Sequence, residues 1–481
     1  MSAVREHFYI GGGWRSPASA ATITVVSPNT EQAIGSVPDG TAADIDAAVA
    51  AARAAFDDPN GWSRWAPAQR ADAMERLADA LDKRAPQMIE AVSSQNGMPV
   101  AISEKLEAVF PQLLLRYYAG LLRQESFEET RPGLLGGSTL VTREPIGVVG
   151  AIVPWNFPQA LASFKYAPGL AAGCTFVIKP SPETVFDSYV LAEAIDEAGI
   201  PAGVINIVPG GREVGAYLVE HPGVDKIAFT GSTAAGRSIA EACGRLLRPV
   251  TLELGGKSAA IILDDADLDL VRIGEQLFSA TLLNNGQTCF LGTRVLAPRS
   301  RYQEIVDVFT GLAASLQVGD SLDPKTQIGP MASARQRDRV ESYIAKGRNG
   351  GARITVGGGR PQGLDNGWFV EPTIFADVDN SSTIAQEEIF GPVLSLIPYC
   401  GDDEAIRIAN DSTYGLGGSV WTSDHDRGVE LARRVSSGTI GINNYLPDPT
   451  APFGGVKSSG LGRELGPEAL SAYTVAKSIY L

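Results

Sequence analysis

The chain has 481 residues, 44% hydrophobic and 20% charged, an ordinary soluble composition with room for about three domains at roughly 150 residues each. Its formal net charge is -15, and an acidic surface repels phosphate backbones, so nucleic acid is excluded as the expected partner. The longest apolar stretch, APGLAAGCTFVI at 167–178, is broken by Pro and Gly and too short to span a bilayer, so no membrane partner is expected.

In chain order, MSAVREHFYI has no apolar segment of the kind a secretory leader needs. The first hundred residues read as helices. TAADIDAAVAAARAAF (41–56) opens on a Thr cap with Asp44 three residues later, and Ile45, Val49, Ala52 and Phe56 share one helical face. AQRADAMERLADALDKR (68–84) gives a second helix. The stretch 124–144 fits no helical or strand period and reads as an extended excursion from the first domain. From 146 onward, strand-like runs at 146–154, 175–180, 203–210 and 225–231 alternate with helical ones such as 187–199. Buried strands alternating with helices imply a doubly wound parallel sheet, whose ligands gather at the carboxyl ends of its strands. A second alternating region has strands at 258–263, 352–358, 391–399, 417–422 and 438–444. The last residues, AYTVAKSIYL, read as a terminal strand whose open edge needs a partner.

Four cysteines, Cys174, Cys243, Cys289 and Cys400, are spaced unlike CxxC or a zinc-ligand pair. No metal is expected, and reduced thiols in a cytoplasm are the simplest interpretation. Cys289, in NNGQTCF, follows a helical run (267–283) that Asn and Gly terminate, which puts it in a loop. It is either a nucleophile or a buried small hydrophobe. His7, His221 and His425 lie in polar, turn-like contexts, so any base for this thiol is a carboxylate. Glu253 in VTLELGGKS ends an apolar strand, where its pKa rises toward that of a general base; the alternative is a glutamate facing solvent. Gly255 and Gly256 permit a close backbone approach. Asn156 in VPWNFPQ can donate its amide to an oxyanion or cap a turn. Lys179 stands at a strand end where a nucleotide ribose would meet it. FTGSTAAGR (229–237) is a strand, a turn and a helix start suited to a pyrophosphate, although no GxGxxG follows any strand.

Together PWNFP, IKPSPET, FTGSTAAGR, LELGGKS, GQTC, EEIFGPV (387–393) and PFGGVKSSGLGRE (452–464) resemble the aldehyde dehydrogenase superfamily, in register over about 150–464. The resemblance implies two doubly wound Rossmann-like α/β domains plus a small β oligomerisation arm. The dinucleotide-binding domain is expected at 1–123 and 145–252, the catalytic domain at 253–445, and the arm at 124–144 and 464–481.

It also implies that Cys289 is the nucleophile, Glu253 the base and Asn156 the oxyanion donor, with Lys165 near that asparagine and Glu464 as a proton relay. For the cofactor it implies Lys179 on a ribose and Gly231 and Ser232 on the pyrophosphate. Glu388 falls to the nicotinamide ribose, and Phe390 and Trp155 to the nicotinamide side. Ser181, Pro182, Glu183, Gly210, Gly215, Phe229, Leu254 and Gly255 complete the cofactor set. The cofactor is NAD, with NADP possible: Pro182 stands where NAD-preferring members carry Glu, Glu183 is shifted by one, and Arg212 can pair with a 2′-phosphate. Phe157, Gln159, Leu161, Leu283, Thr288, Phe290 and Leu446 are expected to border the aldehyde, and apolar walls favour an aliphatic, terpenoid or aromatic one. The expected partners are a small-molecule aldehyde and further copies of the chain, as a homodimer or homotetramer. The alternatives are a CoA-acylating semialdehyde dehydrogenase and a cofactor-independent cysteine esterase.

Overall fold

The apolar run that stops at Pro154 forms the strand Val148–Ile152, buried throughout. It lies inside an eight-stranded sheet of order Gly460–Leu461, Val250–Glu253, Lys226–Thr230, Val148–Ile152, Thr175–Lys179, Ile205–Ile207, Phe8–Ile10, Gly13–Arg15. From Val250–Glu253 to Ile205–Ile207 all neighbours are parallel. The chain runs outward from Val148–Ile152 on one side and then returns to build on the other. That reversal opens a crevice at the carboxyl ends of Val148–Ile152 and Lys226–Thr230. The crevice is where Pro154–Asn156 and Gly231–Ser232 emerge.

This computed structural model describes residues 3–124 and 126–481; Met1 and Ser2, in the expected first domain, and Glu125, in the expected arm, lie outside the described residues. A second, seven-stranded sheet has the order Arg353–Val356, Thr373–Ala376, Val393–Tyr399, Arg294–Pro298, Ala259–Ile262, Gly418–Trp421, Gly441–Ile442. Only its first pair is antiparallel. The expected doubly wound α/β architecture is therefore present.

The helix expected at 41–56 runs Ala42–Asp57, and Asp44 accepts from the Thr41 backbone N–H at 2.9 Å and from its hydroxyl at 2.7 Å. The expectation of helices through the first hundred residues is corrected at its start. Phe8–Ile10, Gly13–Arg15, Thr22–Val26 and Ala33–Pro38 are strands, too short to show a period, and Gly11 and Gly12 (φ 67 and 81) turn the first pair into a hairpin. Two strands of the second sheet, Arg294–Pro298 and Thr373–Ala376, carried no clear sequence signal. Arg294 interrupts the apolar pattern, yet its guanidinium is buried because it donates to the carbonyls of Lys257, Ile408 and Ala409, each at 2.9 Å.

The excursion folds into a hairpin, Glu128–Pro132 with Ser138–Pro145, and the terminal strand Thr474–Tyr480 adds antiparallel to its second strand. Among the described residues, no helix is long and apolar enough to cross a membrane.

Candidate active site

The helix Leu270–Thr281 stops before three successive left-handed residues, Asn284, Asn285 and Gly286, at φ 51, 60 and 71. The strain at Asn285 is held by its side chain. Its Nδ2 donates to the carbonyls of Gly97 at 2.9 Å and Pro330 at 3.0 Å, and its Oδ1 accepts from the Gly329 N–H at 2.7 Å. Cys289 follows, with its carbonyl against Gly256, where a Cβ would meet that oxygen at 2.3 Å. Gly255 is packed against Glu388, whose Oε2 would lie 2.5 Å from a Cβ there. The glycine pair thus lets the link between the two sheets pass directly beneath the cysteine.

Two cavities meet at Cys289, the single residue common to both linings. The first, about 500 Å³, is lined by Leu106, Phe110, Phe157, Ala160, Leu161, Phe164, Leu283, Thr288, Phe290, Leu446, Pro447 and Phe453. Its one hydroxyl, on Thr288, is spent on the Leu283 carbonyl at 3.0 Å, so the wall is effectively apolar. Of the residues expected to border an aldehyde, Phe157, Leu161, Leu283, Thr288, Phe290 and Leu446 line this cavity. Gln159 does not: it is buried away from the cavity, with its Nε2 donating to Asp187 at 2.7 Å. It sits two residues from Phe157 on a helix, and so faces another direction. Phe110, Phe164 and Phe453 were missed. Phe164 was findable, since Phe157, Leu161 and Phe164 are spaced for one helical face.

The second cavity, about 1110 Å³, is lined by Pro154, Trp155, Asn156, Thr230, Gly231, Ser232, Leu254, Gly255, Arg335, Gln336, Arg339, Glu388 and Phe390. Ser232 caps the helix Thr233–Arg245, accepting from the Ala235 N–H at 3.3 Å, so a helix N-terminus opens beside this space. Phe390, at φ 63, has its carbonyl held by Gln336 Nε2 at 2.6 Å, and its ring meets Trp155 edge-on at 5.3 Å. Glu388 accepts from the Gly256 N–H at 2.9 Å, and burial pushes its carboxyl upward.

The other expected cofactor residues lie off this lining. Lys179 is buried with only carbonyl partners, Gly210 at 2.7 Å and Pro180 at 2.8 Å, and burial pulls it down to about 8. Gly215 underlies its stem, and Phe229 packs under Gly231. Ser181 donates to Glu183 at 2.5 Å, and Arg335 from the cavity rim reaches the same carboxylate at 2.8 Å. Pro182 lies between them, and Arg212 is an exposed residue at the start of the helix Arg212–Glu220.

Asn156 is buried at the junction. Its Nδ2 donates to the Gln287 carbonyl at 3.0 Å, leaving its second amide hydrogen uncommitted. Its own carbonyl accepts from Asn284 at 2.9 Å, and Asn96 donates to the Trp155 carbonyl beside it. Asn96 and Asn284, missed in the sequence, are thus the props of this turn.

Glu253 ends its strand fully buried, with both carboxylate oxygens lacking a hydrogen-bond partner. Burial first, and the neighbouring Glu464 second, push its pKa well above the ordinary carboxylate range. Lys165, equally buried, donates to Glu464 at 2.8 Å and to Thr230 at 2.6 Å, and Thr230 lines the second cavity. Burial, then Glu388 and Glu253, push the Cys289 thiol up, so it is protonated at neutrality in the absence of ligand. The structure therefore gathers the buried Asn156, Glu253, Lys165 and Glu464 around the half-buried Cys289.

The profile of the aldehyde dehydrogenase family matches residues 14–479. The chain is 58% identical over 482 aligned residues to a geranial dehydrogenase of Castellaniella defragrans, with 100% of both chains covered. A Mycobacterium tuberculosis aldehyde dehydrogenase complexed with NAD+ is 48% identical and superposes with a TM-score of 0.97, covering 100% of this chain and 99% of that one. A cysteine-to-alanine variant of aldehyde dehydrogenase C from Pseudomonas syringae, complexed with NAD+ and octanal, is 39% identical with a TM-score of 0.95, covering 100% and 98%. With a half-buried thiol between an apolar and a polar cavity and a family match over nearly its whole length, this chain belongs to the aldehyde dehydrogenase family.

Proposed function

We propose that the chain oxidises an apolar aldehyde, with a terpenoid as the leading class, to its carboxylic acid with NAD. The observation that carries this is the position of Cys289 as the one residue shared by an apolar and a polar cavity. An aromatic and aliphatic wall with no free polar group suits an apolar chain, and a geranial dehydrogenase is a close relative.

The second cavity fits a dinucleotide. Gly231, Ser232 and the helix start behind them suit a pyrophosphate, and Glu388 can accept from ribose hydroxyls. Lys179 keeps one ammonium hydrogen beyond its two carbonyl partners. Glu183 supports NAD over NADP, because a carboxylate held beside Lys179 repels a 2′-phosphate. Bound NAD supplies a cationic ring and the acceptor for the hydrogen and two electrons leaving the aldehyde carbon.

The chain's own groups account for the rest. Glu253 takes the Cys289 proton and passes it on, and the sulfur bonds to the aldehyde carbon as the carbonyl π bond opens onto its oxygen. Asn156 Nδ2 and the Cys289 N–H donate to the resulting oxyanion, each worth about 3 kcal/mol. Once the carbon is oxidised, a thioester remains on Cys289. Glu253 takes a proton from water, the water oxygen bonds to the acyl carbon, and the carbon–sulfur bond breaks to release the acid. Glu464 and Lys165 carry the proton from Glu253 toward Thr230 and the polar cavity.

The same proposal covers the chain's organisation. Apart from its edge strand Gly460–Leu461, the eight-stranded sheet belongs to the dinucleotide-binding domain (1–123 and 145–252), and the seven-stranded sheet to the catalytic domain (253–445). The three-stranded arm mediates homo-oligomerisation. The four free thiols suit a cytoplasmic location.

A panel of terpenoid, aliphatic, aromatic and charged aldehydes, assayed with NAD and with NADP without CoA, tests this. Acid formation should be fastest with geranial-like substrates and NAD, and Cys289→Ala should abolish it. Turnover confined to charged aldehydes, or full activity without Cys289, would overturn the proposal.

A further inference from the structure

Every helix begins with backbone N–H groups that have no partner within the helix. The helix Pro158–Ala172 starts deep in the protein, directly after Asn156, and its N-cap residue is Phe157, which has no side-chain oxygen to offer. Water does not reach this point, so the exposed donors must be met from elsewhere. They are met by Glu107, the residue after the helix Val100–Leu106. The fully buried Glu107 carboxyl accepts from the Gln159 N–H at 2.7 Å and from the Ala160 N–H at 3.4 Å, the positions a local cap would serve.

The support continues behind it. The Gln159 side chain donates to Asp187 at 2.7 Å, Gln95 donates to the other Asp187 oxygen at 2.7 Å, and Gln95 Oε1 accepts from the Val185 and Phe186 N–H groups at 2.9 Å. Asn96, next to Gln95, holds the Trp155 carbonyl. One buried polar network therefore grips both ends of the turn Trp155–Pro158. Glu107, Gln159, Asp187, Gln95 and Asn96 line neither cavity.

We propose that Glu107 is a positioning residue of the reaction: by capping the helix from a distant segment, it fixes the turn that aims the Asn156 amide at the reacting oxygen. This rests on Asn156 being the oxyanion donor. Without Glu107 the buried N–H groups of Gln159 and Ala160 must find other acceptors, and the first turn of the helix shifts to do so. An error of about 1 Å in a catalytic group costs about 100-fold in rate. Burial pushes Glu107 to about 8, so at neutrality it is mainly a neutral acid that still offers an acceptor oxygen. Glutamine reproduces both properties.

The test is a double-mutant cycle with steady-state kinetics on the full-length protein. Asn156→Ala should lower kcat by about 100-fold or more. Glu107→Ala should lower kcat by about 10- to 50-fold while the KM for NAD stays within about 2-fold, and Glu107→Gln should restore kcat to within about 3-fold of wild type. The double variant Glu107→Ala/Asn156→Ala should be no slower than Asn156→Ala alone, because the two losses act through one amide. If Glu107→Ala does not fold, Glu107→Asp, which withdraws the acceptor by one methylene, takes its place in the cycle. Additive losses, or a wild-type kcat in Glu107→Ala, would overturn the proposal. A wild-type kcat in Asn156→Ala would instead overturn the oxyanion role on which it stands.

Discussion

At the scale of single residues, Glu253 is the group whose environment most constrains the chemistry. In its proposed role as base it works only when ionised, and its raised pKa favours the protonated form as pH falls. Hydrolysis-limited turnover should therefore fall as pH drops through that raised value, at a pH well above the ordinary carboxylate range. Glu253→Gln should remove this limb, and an acyl-enzyme on Cys289 should accumulate in mass spectra under turnover. Gly454 guards the same carboxylate. At φ 149 it has no Cβ, and one built there would sit 2.5 Å from Glu253 Oε1. Gly454→Ala should slow hydrolysis by at least about 10-fold with less effect on the first turnover, which pre-steady-state kinetics separates.

These two positions also show what the sequence discloses. Cys289, Glu253 and Asn156 sit in contiguous motifs, so the sequence singled them out, each beside a structural alternative until the motifs were taken together. Asn284, Asn96 and Thr230 were not, because their meaning lies in contacts to distant segments, such as the bond from Asn284 to the Asn156 carbonyl across 128 positions. No local pattern encodes such a bond.

At the scale of elements, the helix Pro158–Ala172 carries three jobs. Its start follows Asn156, one side presents Phe157, Leu161 and Phe164 to the apolar cavity, and Lys165 at the edge of that side reaches Glu464. Filling the cavity from this helix should discriminate substrates by bulk. Phe164→Trp should raise the KM for a branched C10 aldehyde by about 10-fold or more, with little change for propanal, as measured by initial rates. Helices were the most legible elements, since their period extends over many residues. The strands in the first forty residues escaped notice because each is a few residues long and bounded by tight turns. Arg294–Pro298 escaped because a buried arginine mimics an exposed one until its carbonyl partners are known.

At the scale of the whole molecule, the three-stranded arm stands apart from both large sheets. Its hairpin tip bears Leu134 and Leu135 fully exposed, and the strand Thr474–Tyr480 leaves Val475, Ile479 and Tyr480 uncovered. Such edges and apolar side chains invite pairing with another copy. Deleting residues 474–481 should shift the protein to a smaller assembly, which sedimentation velocity would detect as a lower mass. The sequence pointed to both 124–144 and the terminal strand as the arm, but not to what they meet, because one chain does not display what it docks against.

Because the two linings overlap at Cys289 alone, the proposed aldehyde and dinucleotide sites meet there with separate walls. The oil-lined room can be rebuilt for a bulkier or slimmer guest while the nucleotide room stays as it is. In steady-state inhibition, the product acid should compete with the aldehyde and not with the dinucleotide. Fatty or terpenoid waste trapped against the thiol would then disable the enzyme even with its coenzyme already seated.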